Sequence, residues 1–297
     1  MSAIILDGKS LSLKIRESVK IKAGALMERG IIPCLAVVLV GNDSASLSYV
    51  KSKEKALNEA GMESLDIRLP QSTSEAQLLS IVCDLNKDRK VHGILVQSPV
   101  PAHINEENVN AAIAPEKDVD CFHPVSAGNL LLGKPGFLPC TPHGVIMLLR
   151  EYNIPLNGAH VVIAGRSNIV GKPLANLLIR REYNATVTLC HTGTKDIARH
   201  TLQADILIAA AGKPGLIKPE MVKDGAAVID VGINRVPDQR EKKGYRICGD
   251  VDPAVAQKCG FFTPVPGGVG PMTIAMLLQN VIEAAQKTAP QKAEVSI

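Results

Sequence analysis

Short runs of β-branched and aliphatic residues alternate along this chain with stretches of helical periodicity, and few folds accept that alternation. Strands separated by crossover helices pair in parallel, and a parallel sheet needs helices over both faces to keep them from water. In the first half, strands are expected at Leu35–Val40, Ser64–Leu69 and Gly93–Gln97, with helices over Ser46–Ala60 and Glu75–Lys87. In the second half, strands are expected at His160–Ala164, Thr186–Cys190, Asp205–Ala209 and Ala227–Val231, after a helix over His143–Tyr152. The segment Gly133–Pro142 breaks the series with Gly and Pro, which sets a domain boundary there. An amphipathic helix from about residue 272 to about Lys287 is expected to pack back on the first domain, with fraying from Thr288. The fold class is α/β, in two domains.

Composition removes several classes of function. With 46% hydrophobic and 21% charged residues the balance is that of a globular protein. A net charge of +4, without a basic block, argues against a nucleic-acid partner. The longest apolar runs, Cys34–Val40 and Ile206–Ala211, are far too short for a membrane span. Met1–Leu13 meets Asp7 and Lys9 before any signal-like apolar stretch forms. The seven cysteines show no C-x-x-C spacing, so free thiols in a reducing cytoplasm are expected and a zinc site is not.

One local pattern carries specific chemistry. His160–Ala164 runs into Gly165-Arg-Ser167-x-x-Val-Gly171, and a helix follows with Pro173 in its first turn, where proline costs least. A strand, a glycine turn and a helix N-terminus together present backbone N–H groups and a positive dipole end to a pyrophosphate. Ser167 stands where the usual fingerprint has its middle glycine. The next strand ends Leu189-Cys190-His191-Thr192 with no carboxylate for a ribose diol, while Arg166 in the turn suits a 2′-phosphate. NADP is therefore favoured over NAD.

In the first half, Tyr49-x-x-x-Lys53 places two side chains one turn apart on one helix face. Lys51, Lys53 and Lys55 also fit a plain solvated face. Gln97, ending its strand, suits either a ligand contact or a strand cap. Asp118 and Asp120 lie in a loop, where aspartates are usually turn formers.

Taken together, Tyr49-x-x-x-Lys53, Gly93-Ile-Leu-Val-Gln97, Pro115-Glu-Lys-Asp-Val-Asp120, Pro139-Cys-Thr-Pro142, Gly165-Arg-Ser-x-x-Val-Gly171 and Thr263-Pro-Val-Pro-Gly-Gly-Val-Gly-Pro271 resemble the bifunctional methylenetetrahydrofolate dehydrogenase/cyclohydrolases. The resemblance spans roughly residues 1–287. It implies an N-terminal α/β substrate domain over residues 1–138, a Rossmann-type NADP domain with a parallel sheet over 139–271, a cleft between them, and a homodimer. It implies that 5,10-methylenetetrahydrofolate is oxidised with NADP and that the methenyl product is hydrolysed. Carried across, Lys53 is the catalytic lysine, Tyr49 stacks on the substrate, Gln97 tunes the lysine and Asp120 binds the pterin. Gly165, Arg166, Ser167, Thr192 and Ile233 line the NADP site, while Pro266, Gly267 and Gly270 belong to a loop closing over the substrate. Two residues depart from the family: Cys121 where it usually has Gly, and Ser126 where it often has Asn. A side chain at 121 shifts the Asp120 loop if the family's glycine has φ > 0.

The chemistry sets a requirement on the lysine. Hydride loss moves no proton, whereas hydrolysis of the methenyl cation needs an acid–base group near neutral pKa. Free lysine sits near 10.4, so Lys53 requires desolvation or a nearby cation, and an uncharged partner such as Gln97 adds no opposing charge. Three rivals remain. A short-chain dehydrogenase places its nucleotide turn before its Tyr–Lys pair, the reverse of this order. A shikimate-type dehydrogenase lacks the Pro-Gly-Gly-Val-Gly-Pro loop. A silent NADP-binding sensor would not be expected to keep Lys53, Gln97 and Asp120 together.

Overall fold

The structure, a computed structural model, describes residues 3–241 and 244–288. Of the fraying expected from Thr288, Thr288 itself remains helical, its Oγ1 donating to the Ala285 carbonyl at 2.8 Å, and the rest lies outside the described residues. The chain forms two compact units, Met1–Lys14 with Ala127–Met276 and Ile15–Ser126 with Leu277–Ile297.

The first unit is built on a six-stranded parallel sheet in the order β1-β11-β8-β7-β5-β6. Its strands are β1 (Ile4–Ile5), β5 (His160–Ala164), β6 (Thr186–Cys190), β7 (Ile206–Ala209), β8 (Ala227–Asp230) and β11 (Phe261–Phe262). Val161–Ala164 and all of β7 and β8 are buried, as central parallel strands must be. One face packs Val162, Ala164, Leu207, Ala209 and Val228 into a continuous core. Helices α6 (Cys140–Glu151), α7 (Gly171–Leu178) and α8 (Ile197–Thr201) flank the strands. An antiparallel pair, β9 (Asn234–Pro237) and β10 (Tyr245–Cys248), follows β8 in register Asn234↔Cys248 to Pro237↔Tyr245.

The second unit holds a three-stranded parallel sheet, β3-β2-β4, with β2 (Cys34–Val40) between β3 (Glu63–Leu69) and β4 (Gly93–Val96). Every residue of β2 is buried, and each large aliphatic side chain there contributes about 1.5–3 kcal/mol. Helix α2 (Ser44–Glu59) starts on an Asp43 cap whose side chain accepts from the Ser46 N–H. Helix α3 (Glu75–Lys87) starts on a reciprocal Ser74/Gln77 capping box. Short helix α4 (Glu106–Ala112) follows, and α5 (Pro124–Leu131) runs across the boundary at which the chain passes into the first unit. The last helix, α9 (Val269–Thr288), contributes its residues from Leu277 to this unit. Within the second unit, Asn280 Nδ2 donates to the Val119 carbonyl, 2.8 Å away.

The strands read from the sequence match these to within a residue or two. The units divide the chain differently from the expected boundaries. Residues 1–14 group with the dinucleotide-type sheet, because Ile4 and Ile5 pair with Phe261 and Phe262. Strands of two residues carry no periodicity, so this pairing has no sequence signal. Ala127–Leu138 also groups with the later residues; Arg180 donates to the Leu130 carbonyl at 3.0 Å. The twenty-residue helix α1 (Gly8–Met27) has no counterpart in the sequence reading. Its buried positions Val19, Ala23 and Leu26 have helical spacing but lie among Lys, Glu and Ser. All seven cysteines are free thiols. Among the described residues no helix is long and apolar enough to cross a membrane.

Candidate active site

The phosphate-binding turn is defined by close approach. Gly165 has φ +135, and a Cβ there would run into the carbonyl of Ala210 at the end of β7. A Cβ on Gly171 would collide with the Gly165 carbonyl, so both glycines are dictated by backbone contact. Ser167 has a local role that its place in the fingerprint did not reveal. Its Oγ accepts from the N–H groups of Val170 (3.1 Å) and Gly171 (3.4 Å), closing the turn into α7. A cavity of about 460 Å³ opens on this turn, and it brings together Gly165, Arg166, Ser167 and Thr192, four of the residues the sequence reading put at the dinucleotide. His191, Thr194 and Lys213 also line it, and the sequence reading missed them. His191 follows a strand end and so had a signal; Lys213 lies beyond β7 and had none. The Gly193 N–H donates to His191 Nδ1 (3.1 Å), so the neutral ring carries its proton on Nε2. Missing side chains at the turn, an adjacent helix N-terminus and cationic walls without a carboxylate at the end of β6 fit a dinucleotide carrying a 2′-phosphate.

Ile233 does not line that cavity. It is 48% exposed and its Cδ1 sits 3.6 Å from where a Gly270 side chain would begin. That contact joins it to the Gly-rich segment before α9. There Gly267 has φ +113, the Gly268 N–H donates to the Pro264 carbonyl (2.8 Å), and the Lys9 N–H donates to the Gly267 carbonyl (2.9 Å). Gly8 and Gly268 touch backbone to backbone, leaving no room for a Cβ on Gly8. Pro266 is exposed, and Gly267 and Gly270 are half-buried.

In the second unit the three lysines of α2 separate cleanly. Lys51 and Lys55 are exposed, four residues apart, and Lys53 points the other way because two helical steps turn it by about 200°. Lys53 is 7% exposed, and its Nζ donates to Gln97 Oε1 at 3.0 Å. Gln97 is oriented in turn, since its Nε2 donates to the Ser98 carbonyl at 2.8 Å. The amide therefore shows the lysine an acceptor, which serves both ammonium and amine. Tyr49, one turn before Lys53, is half-buried, and burial pushes its phenol pKa up, so it stays neutral. The solvated-face reading holds for Lys51 and Lys55 alone.

Asp118 and Asp120 have different surroundings. Asp118 is buried and accepts from the N–H groups of Phe122 (3.1 Å) and His123 (2.9 Å). Burial raises its pKa, while the Ser126 side chain and those two N–H groups pull it down. It builds the loop, and Ser126, the departure from the family's Asn, is one of its partners. Asp120 stands half-buried beside it. Cys121 has φ +63, the left-handed conformation that glycine adopts most cheaply, and its thiol is buried, which drives its pKa up. Among the described residues, no cluster of three or more His, Cys, Asp or Glu is arranged to hold a metal ion.

These features define a class: an α/β enzyme with a Rossmann-type dinucleotide unit and a buried lysine–amide pair in a second α/β unit. Residues 6–120 match the catalytic domain, and residues 139–289 the NAD(P)-binding domain, of the tetrahydrofolate dehydrogenase/cyclohydrolases. The chain belongs to that family. It is 55% identical over 283 residues to the bifunctional protein FolD of Campylobacter concisus, covering 95% of this chain and 97% of the relative. The crystal structure of the bifunctional enzyme FolD from Campylobacter jejuni superposes with a TM-score of 0.92 at 50% identity, over 96% of this chain and 99% of that one. The Trypanosoma brucei methylenetetrahydrofolate dehydrogenase-cyclohydrolase, complexed with NADP and an inhibitor, superposes at 0.93 with 37% identity, over 98% and 99%.

Proposed function

We propose that Lys53 is the proton-transfer group of this enzyme, with Gln97 as the residue that orients it and Tyr49 and Asp120 as substrate contacts. The chain oxidises 5,10-methylenetetrahydrofolate to 5,10-methenyltetrahydrofolate with NADP and hydrolyses that product to 10-formyltetrahydrofolate. The dinucleotide, when bound, supplies the acceptor for the hydride. Gly165, Arg166, Ser167 and Thr192 hold it, Arg166 pairing with the 2′-phosphate. We extend the NADP assignment to Ile233 through its contact with Gly270, and place Pro266, Gly267 and Gly270 over the substrate.

The chemistry runs in two stages. Loss of hydride from the one-carbon unit leaves a cation shared by two nitrogens, and positioning is all that step asks of the protein. In the second stage water adds to the cationic carbon. The Lys53 amine takes a proton from that water, one C–N bond breaks as the formyl C=O forms, and the freed nitrogen is protonated. One proton is released overall. The observation that carries this reading is the buried Lys53 Nζ, 3.0 Å from an amide oxygen that is itself held by a second hydrogen bond. A primary amine with one hydrogen so engaged still has its lone pair for water. Burial disfavours the charged ammonium, and an uncharged partner such as Gln97, unlike a carboxylate, adds no opposing charge.

Family membership supports the wider reading: a cytoplasmic homodimer supplying one-carbon units to purine, methionine and histidine biosynthesis. The test is an assay following reduced nucleotide and methenyltetrahydrofolate together, with NADP and NAD in turn. Both products should form with NADP, and formation of neither rejects the proposal. Size-exclusion chromatography with light scattering checks the dimer.

A further inference from the structure

At the end of β8 and beyond it, two buried aspartates, Asp230 and Asp250, gather backbone N–H groups from several loops. Asp250 is fully buried; its Oδ2 accepts from Ala211 N–H (2.6 Å) and Gly212 N–H (2.8 Å), and its Oδ1 from Asn234 Nδ2 (2.8 Å). Asp230 Oδ1 accepts from the N–H groups of Gly232 and Asp250, and its Oδ2 from that of Val251, all at 2.9 Å. The Asp230 N–H donates to Thr263 Oγ1 at 2.6 Å. Two glycines make room, because a Cβ on Gly249 would run into Asp230 Oδ2 and one on Gly232 into Asp250 Oδ1.

Two neighbouring buried carboxylates are a costly way to hold a loop. Burial, reinforced by the charge of Asp250, pushes the Asp230 carboxyl up to about 6. Neither aspartate lines the dinucleotide cavity, yet Ala211, whose N–H Asp250 holds, does, and its chain neighbours Ala210 and Lys213 form part of the same wall. Ala210 is the residue whose carbonyl packs against Gly165 of the phosphate turn. A continuous path of contacts thus runs from Asp230 through Asp250 and the Ala211–Gly212 peptides to Gly165.

We propose that Asp250, fixed by Asp230, is a positioning residue for NADP: its carboxylate holds the Ala210–Lys213 wall in the shape that accepts the dinucleotide. The inference rests on that cavity being the NADP site. Removing the carboxylate leaves two N–H groups without their acceptor, and the wall must move to satisfy them.

The test measures NADP Kd, methylenetetrahydrofolate KM and methenyl hydrolysis without nucleotide for Asp250→Ala, Asp250→Ser and Asp250→Asn. Ala and Ser should raise NADP Kd about tenfold or more, leaving folate KM and hydrolysis within about twofold of the parent. Asn should recover most of the affinity, since its oxygen can keep both N–H groups while Asn234 turns its amide to meet the new donor. If Asp250→Ala does not fold, the serine variant decides. A folded Ala or Ser variant that binds NADP as the parent does overturns the proposal, as does hydrolysis falling in parallel with NADP affinity. Arg166→Ala in the same titration keeps the two readings apart. If it too binds NADP unchanged, the cavity assignment has failed; if it loses affinity while the Asp250 variants do not, only the positioning role has.

Discussion

Replacing Lys53 with methionine should separate the two reactions of this enzyme. The substitution keeps side-chain length in a position only 7% exposed, and it removes the one atom that titrates. Its structural cost is modest: Gln97 Oε1 loses the donor 3.0 Å away, worth about 1 kcal/mol, while an amine no longer has to be kept from water. Those effects oppose each other, so the thermal midpoint should move by no more than a few degrees. The catalytic cost is far larger. Acid–base catalysis is worth about 10² or more, so hydrolysis should fall at least that far, about 2.7 kcal/mol of barrier. Hydride transfer moves no proton and should persist at a measurable rate, with methenyltetrahydrofolate accumulating in place of the formyl product. Lys51→Met and Lys55→Met are the controls: both side chains are exposed, and Lys55 makes only a long surface pair with Glu59 at 3.8 Å. If all three variants behave alike, or if Lys53→Met hydrolyses methenyltetrahydrofolate at the parental rate, the assigned role is refuted.

Arg166→Ala should erase most of a preference for NADP over NAD that we set at about tenfold in kcat/KM, roughly 1.4 kcal/mol; a parent enzyme that uses both nucleotides equally removes the 2′-phosphate assignment. Asp120→Ala should weaken folate binding and depress both activities while NADP affinity stays put; calorimetric titration showing unaltered folate affinity takes Asp120 out of the site. Cys121→Gly relieves a left-handed strain of roughly 1 kcal/mol but adds glycine's unfolded-state freedom of about 0.5–1 kcal/mol and forfeits a buried thiol. Denaturant unfolding should therefore differ from the parent by less than about 1 kcal/mol, with folate KM unchanged because Asp118 already fixes the loop through Phe122 and His123. A several-fold change in folate KM shows instead that residue 121 steers Asp120.

The parallel strands and the phosphate turn were legible in the chain because their causes are local. A buried parallel strand must be continuously apolar, and a turn into a helix N-terminus needs glycines where backbone meets backbone. The helical phase of Lys51, Lys53 and Lys55 was equally present in the sequence, since any helix turns the middle one away from the other two. Which of the two faces is dry was not, because that depends on what the fold lays against it. The same limit separates Asp118 from Asp120: side by side in a loop they read alike, and only burial makes one a scaffold. Ile4–Ile5 pairing with Phe261–Phe262, Gly8 meeting Gly268, and Asp250 reaching Ala211 and Gly212 join residues tens to hundreds of positions apart. No periodicity or spacing encodes such contacts. They form because a buried N–H or carbonyl must find a partner wherever the packed chain brings one within reach.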